Sequence, residues 1–349
     1  MHGPTVKESL SSLFVCAPRR SRRAAPQPPR SPRPSRRARA AAVAAPCPGV
    51  WPRRDRATYD EMATYDTSQE LGALPHPDGG GPRDPVAGGR ILFLGHATTL
   101  IELDGTRLVT DPVLRRQVGP LHRRIPPPLT RPLADPAAIL LSHLHLDHYD
   151  PASLRMFRRD TPVLAPVGAR RSLQWRGFRD IHEMAPGDRL RVGVLEIVAT
   201  AARHRGTRHP LAARTPSLGY VVSGSRSIYF AGDTGLFPGM ADIWDDLDVA
   251  LLPIAGLGPW MPEFKHLSPR HAVRAAELLR PRLVIPIHWG TYHLPGTVIM
   301  RLRPDVHRRA PLIFMREVEA LAPAIRTVML DPGESLDLAA ALPPLSRRA

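Results

Sequence analysis

Ten residues hold much of the chemistry this sequence can offer. In LSHLHLDHYD, Leu141 to Asp150, three histidines and two aspartates follow the apolar run AAIL. Polar and charged groups at the end of a buried strand cost free energy unless something pairs with them. His143, His145, Asp147 and His148 read H-x-H-x-D-H. Residues two apart in an extended segment point the same way, so His143 and His145 share a side. Asp147 and His148 follow after the chain bends and face a neighbouring point. Imidazole and carboxylate in that arrangement suit two adjacent metal ions, since neutral imidazole binds zinc, iron or nickel and carboxylate adds compensating charge. The plain alternative, a polar loop of incidental histidines, needs four ligand-type side chains in six positions by chance.

Three further candidates stand at the ends of apolar runs. His204 follows LEIVATA, Asp233 lies in FAGDTG after SIYF, and His288 lies in IPIHWGTY after RLVIP. Singly, each reads equally well as a turn or a structural histidine. Together they repeat one arrangement, a buried strand ending in a ligand-type side chain. Both cysteines, Cys16 and Cys47, fall in the N-terminal tail, so the folded part has neither a disulfide nor a thiolate ligand.

Strands must carry these groups. RILFLG, TLIEL and RLVT read as strands, with the Asp-Gly of LDGT favouring a hairpin. PASLRMFRR reads as a helix and PVLAP as a strand, and LRVGVLEIVATA gives one or two more. SLGYVVSG and RSIYFAG form an antiparallel pair, and DVALLPI and RLVIPI are buried strands. SPRHAVRAAELLR is a helix capped by Ser268 with Pro269 next. FMREVEALA is helical, and IRTVML is a closing strand. Strands first, then strands mixed with helices, predict two packed sheets covered by helices. The chain divides as a disordered Arg/Pro-rich tail over 1–56, a linker over 57–89 and one domain over 90–349.

Of the net charge of +16, residues 1–56 hold thirteen basic groups against two acidic ones. That tail has no periodicity and too little apolar surface to offset chain entropy. A solvated arm is its simpler reading, and contact with nucleic acid or an anionic membrane the sharper one. It makes a poor signal peptide, SRRARAAAVAAPC only faintly echoes a twin-arginine lipoprotein signal, and Met62 offers an alternative start. No run reaches the eighteen or so apolar residues of a membrane span.

The series H-x-H-x-D-H, then His204, G-D-T-G and I-H-W-G-T resembles the metallo-β-lactamase superfamily. Within it, LGHATTLIE, VTDP, GPLHRR, LSHLHLDHYD, RHRGTR, YFAGDTG, HLSPRHAV and IPIHWGT resemble the group of N-acylphosphatidylethanolamine-hydrolysing phospholipase D and its bacterial relatives. The resemblance covers residues 90–335 and implies an α/β fold, the four-layer αββα sandwich. It implies that His143, His145 and His204 bind one metal, Asp147, His148 and His288 a second, and that Asp233 bridges both. The implied cofactors are two zinc ions, with iron or manganese as alternatives. The implied reaction is hydrolysis by a metal-bridging hydroxide, with Asp147 orienting it and taking its proton. His96 and Asp111 would support the ligands, their alternatives being a strand-end histidine and a turn cap. His266 would reach the substrate or leaving group, the alternative being a histidine at a helix entrance. Arg208 would meet an anionic group, the alternative being an exposed arginine.

Gaps of 56, 29 and 55 positions separate His148, His204, Asp233 and His288, too short for the inserted domain of the nucleic-acid-cleaving branch. The missing cysteine ligand argues against antibiotic-hydrolysing members. A phosphodiesterase acting on a small or phospholipid-like substrate is the first reading and a lactonase of the sugar-phosphate lactone type the second. Outside both stand a non-catalytic metal-binding protein and a nucleic-acid-binding protein. IAGLGPWMPEFKHLSP replaces the Tyr-Glu-Pro-Arg-like segment of the phospholipases and falls where specificity is set. A cytoplasmic protein is expected, with peripheral membrane contact open, no obligatory nucleic acid, and no oligomeric state specified.

Overall fold

The computed structural model describes residues 88–125, 133, 135–205, 215–254, 266–293, 295 and 306–342, with backbone alone at 306–308. All of them fall in the unit His76–Ala349. The tail, all of the linker but Gly88 and Gly89, Arg208 and most of IAGLGPWMPEFKHLSP lie outside the described residues.

One sheet begins with β1 (Arg90–Gly95), β2 (Thr98–Leu103) and β3 (Thr106–Thr110). Asp104 and Gly105 both take positive φ, 48° and 75°, between β2 and β3, as a tight two-residue hairpin requires. A short ribbon follows, β4 (Gln117–Val118) with β5 (Leu121–Arg123). The first sheet then continues through β6 (Ala138–Leu140), β7 (Val163–Pro166) and β8 (Ile181–Met184). The second sheet contains β9 (Arg189–Val192), β10 (Leu195–Arg205), β11 (Pro216–Ser223), β12 (Ser227–Phe230), β13 (Val249–Pro253) and β14 (Leu283–Ile287). β15 (Tyr292–His293) joins the ribbon, and β16 (Ser335–Asp337) closes the first sheet.

The first sheet runs β16-β1-β2-β3-β6-β7-β8, the second β14-β13-β12-β11-β10-β9. Each is antiparallel at one end and parallel at the other, with β3, β6, β7 and β8 parallel in one and β12, β13 and β14 in the other. Parallel neighbours put successive strand ends on one rim, where irregular backbone can gather functional side chains.

Side-chain alternation builds the layers. Leu108, Ala138, Leu140 and Leu164 enter the large core shared with the second sheet. Val109, Ile139, Val163 and Ala165 point the other way, into a second core with Tyr149, Leu154, Leu173 and Phe178. That second core is roofed by α1 (Pro151–Leu154) and α2 (Arg170–Gln174). α3 (Pro269–Leu279) and α4 (Val306–Leu321) cover the second sheet. The result is the expected αββα order. α3 starts as read from the sequence: Ser268 accepts the His271 amide, Pro269 follows, and Ala272, Val273, Ala275, Ala276 and Leu279 face the core. A four-residue helix, α5 (Leu338–Ala341), ends the described chain.

Three local expectations differ. The helix read over PASLRMFRR stops at Leu154, and the rest of that segment is turn. α4 begins eight residues before FMREVEALA and runs through Pro311. IRTVML is not a strand. Only Thr327 bridges Val284, and the closing strand is the later Ser335–Asp337, paired with β1.

A candidate metal centre

The rim of the two sheets presents six strand ends. β1 leads into His96, β3 into Asp111, β6 into LSHLHLDH, β12 into Asp233 and β14 into His288, while β10 carries His204 at its own end. Backbone bonds sew this rim together: His288 N–H to His96 O at 2.6 Å, Leu218 N–H to Ser142 O at 2.9 Å, and Gly235 N–H to Arg203 O at 3.1 Å. His96, Asp111 and His288 sit at φ of 57°, 30° and 60°, unusual for residues with a side chain. Such strain persists where packing imposes it, and it concentrates at functional sites. At Gly232 a β-carbon would come within 2.5 Å of Ser142 Cβ, so glycine lets the end of β12 approach the histidine loop.

Three histidines form one set. His143 Nε2 lies 2.9 Å from His145 Nδ1, and His204 Nε2 lies 3.1 Å from the same atom. A second set is Asp147, His148 and His288. The Nε2 atoms of the two histidines are 3.2 Å apart, and each is 3.8 Å from Asp147 Oδ2. Asp233 stands between the sets. Its Oδ1 is 3.2 Å from His288 Nε2, its Oδ2 is 3.4 Å from His148 Nε2, and it shares a potential ion site with His204 and His266.

The buried partners determine which nitrogens are free. Asp111, fully buried, accepts Ser142 N–H at 2.7 Å, Ser142 Oγ–H, and His148 Nδ1–H at 2.7 Å. With its hydroxyl given to Asp111, Ser142 Oγ accepts from His143 Nδ1 at 2.9 Å. Both rings therefore turn Nε2 into the site, where it faces other ring nitrogens and carboxylate oxygens. Such atoms crowd together only when a cation, a proton or a metal ion, lies among them. Asp233 Oδ1 adds to this, since it is buried and makes no hydrogen bond. The donor set, imidazole nitrogens with two carboxylates and no sulfur, fits divalent transition metals.

Electrostatics agree. Burial pushes the His143 imidazole well below its usual range, helped by neighbouring His148, and brings His288 down to about 4. Burial likewise lowers His145 and His266. Burial alone would raise Asp147 and Asp233. For Asp147, His148 and His96 outweigh it, and for Asp233, His288 and His148 do, holding both carboxyls well below the ordinary range. Burial would lower His148 too, yet Asp233, Asp147 and the bond to Asp111 raise it well above normal. Two ionised carboxylates thus demand positive charge at the point where His148 Nε2 sits, which a metal ion supplies in place of the proton.

His96 Nε2 lies 3.0 Å from Asp147 Oδ2 and holds that carboxylate in place. His266 is buried, with Nδ1 3.4 Å from Asp233 Oδ2, its ring centroid 4.6 Å from that of His204, and Nε2 without a hydrogen bond. All nine of these His and Asp positions picked from the sequence therefore meet on one rim, together with Asp111. Arg208 lies outside the described residues. The sequence reading missed three residues. Ser142 orients His143. Thr291 accepts the His96 amide at 2.7 Å. Arg123 is buried and donates to Leu94 O, to Val113 O at 3.1 Å and to Tyr292 Oη at 3.2 Å. The signal for Arg123 was the GPLHRR segment, but nothing in its composition said the arginine turns inward.

Known proteins give the same picture. A family model described as a beta-lactamase superfamily domain matches residues 106–289. A UPF0173 metal-dependent hydrolase of Methanopyrus kandleri is 33% identical over 255 residues, 71% of this chain and 99% of that protein. An N-acyl-phosphatidylethanolamine-hydrolyzing phospholipase D of Caenorhabditis elegans is 32% identical over 238 residues, 61% of this chain and 66% of that protein. Among solved structures, the metallo hydrolase Igni18 of Ignicoccus hospitalis superposes with a TM-score of 0.53 at 24% identity, over 71% of this chain and 97% of that one. Among the described residues, no helix is long and apolar enough to cross a membrane.

Proposed function

The chain belongs to the metallo-β-lactamase superfamily and to its metal-dependent hydrolases, and from that premise we propose a dinuclear zinc phosphodiesterase acting on a phospholipid-like or smaller phosphodiester. The observation that carries the dinuclear reading is the position of Asp233 between two ligand sets, His143/His145/His204 and Asp147/His148/His288. Support for the phosphodiester comes from the likeness to the nematode phospholipase.

Bound there, two cations would polarise the phosphoryl oxygen and make water acidic enough to attack near neutral pH. The chain's residues do the rest. Asp147, kept ionised by His148 and oriented by His96, takes the proton of the attacking water. As the water oxygen bonds to phosphorus and the ester P–O bond breaks, that proton passes from Asp147 to the leaving oxygen. His266 offers Nε2 as the hydrogen-bonding contact for the leaving group. Arg208 meets the anionic part of the substrate, and peripheral contact with a membrane brings a lipid substrate within reach.

Zinc-loaded protein offered bis-aryl phosphodiesters, N-acyl phospholipids, lactones and thioesters in parallel tests the reading. Turnover of a phosphodiester or N-acyl phospholipid supports it. Turnover of a lactone or thioester with no phosphodiester cleaved overturns it.

A further inference from the structure

Positive charge is dense in residues 1–56 and again in several later segments. One of these, residues 151–180, has seven arginines against Asp160 and Asp180, a net +5. Crowding like charges costs stability through self-repulsion, and the cost is recovered on contact with an anionic partner.

The same segment exposes large apolar side chains. Trp175 is 84% exposed, Met156 52% and Val167 49%. Arg155 and Arg171 are exposed as well, and their guanidinium groups make no hydrogen bond or ion pair among the described residues. α1, α2 and their following turns form one surface. Arg159 donates to Leu154 O at 3.3 Å, covers the Phe178 ring at 5.3 Å, and accepts the Arg179 amide on its carbonyl at 2.9 Å. That surface is joined to the histidine loop. Tyr149 and Ser172 share a hydrogen bond of 2.9 Å, and the Arg176 guanidinium lies 4.9 Å from the Tyr149 ring and 5.4 Å from that of Trp175.

We infer that this α1–α2 surface docks the protein on an anionic lipid bilayer. Arginines are drawn to the negative headgroup layer, and exposed tryptophan, methionine and valine side chains enter the interface beneath it. A nucleic acid would use the arginines and could stack on Trp175, but it has no use for exposed Met156 and Val167. The inference stands apart from the reaction at the metal centre, though a lipid substrate would give the two a common purpose.

The test is co-sedimentation of the full chain with phosphatidylcholine vesicles and with vesicles containing phosphatidylglycerol, at low and high salt. The intact protein binds the anionic vesicles. Arg155→Glu with Arg171→Glu weakens that binding by about tenfold or more, at unchanged thermal midpoint and metal content. Trp175→Ala weakens the part that survives high salt, where attraction through the basic N-terminal residues is screened. Binding by the double variant equal to that of the unaltered chain overturns the proposal, because the N-terminal residues then account for it. Tighter binding to an oligonucleotide duplex than to vesicles at the same salt, lost in the double variant, overturns it in favour of nucleic acid. Hydrolysis of a soluble phosphodiester in the same preparations reports on the metal centre separately, so failure of either idea is recognisable.

Discussion

His148 donates its Nδ1–H to Asp111 across 2.7 Å, and both residues are fully buried. The bond leaves Nε2 as the only nitrogen of that ring able to bind a metal. A carboxylate behind a ligating histidine sets its tautomer and its basicity. Asp111→Asn should therefore weaken metal binding by about 10- to 100-fold while the fold is kept. Competition with a chromophoric chelator measures this. Unaltered affinity would remove Asp111 from the site's support.

Asp233 contacts His148 and His288 and shares a potential ion site with His204, so its loss should affect stoichiometry as well as rate. In Asp233→Asn one metal per chain should remain in place of two, with nearly all turnover gone. Mass spectrometry of the native protein counts the ions. Two retained ions with normal turnover would exclude a bridging role.

His266→Asn separates contact with substrate from metal binding. Turnover should fall by about 10²- to 10⁴-fold, the usual range for a group acting on the proton or leaving atom, with metal content unchanged. A parallel loss of metal would instead make His266 a ligand, as its place beside His204 and Asp233 also allows.

Asp150 links stability to pH. It caps α1 by accepting Ser153 N–H at 2.9 Å and takes two bonds from Arg115, at 2.8 and 2.7 Å. Burial would raise its carboxyl, but Arg115 and Ser153 outweigh that and lower it. A depressed carboxylate stabilises above its unfolded value near 4 and loses the contribution as pH falls through its folded value. Asparagine caps a helix as well as aspartate, so Asp150→Asn should cost only the charge facing Arg115, up to about 1 kcal/mol at pH 7. The difference in melting temperature should shrink below about pH 4. A difference constant from pH 7 to pH 3 would contradict the assignment.

Gly232→Ala should destabilise the protein by about 1–3 kcal/mol, since the new methyl meets Ser142 Cβ at 2.5 Å and φ is 56°. Urea denaturation reads the change directly.

The ligands were legible because each is a polar residue set against an apolar run, a contrast that survives in one dimension. The layers were legible in the order of elements, strands first and then strands mixed with helices, and in apolar runs such as β6 and β7, which are buried on both faces and feed two cores. What surrounds the ligands was not. Ser142 and Thr291 are common residues whose roles depend on which strand ends adjoin, as in the bond from His288 N–H to His96 O. Arg123 reads as one more surface arginine in an arginine-rich chain until β5 turns it beneath Gly95. Helix α4 hid its start because Pro311 reads as a breaker, and the closing strand was misplaced because IRTVML has strand composition but only one bridging residue.

The central claim, two metal ions held by seven His and Asp side chains for hydrolysis, is most directly tested by counting metal in active protein. Active protein should hold about two zinc ions per chain, lose turnover when a chelator removes them and recover it when zinc is returned. Full activity in protein stripped of metal would contradict it.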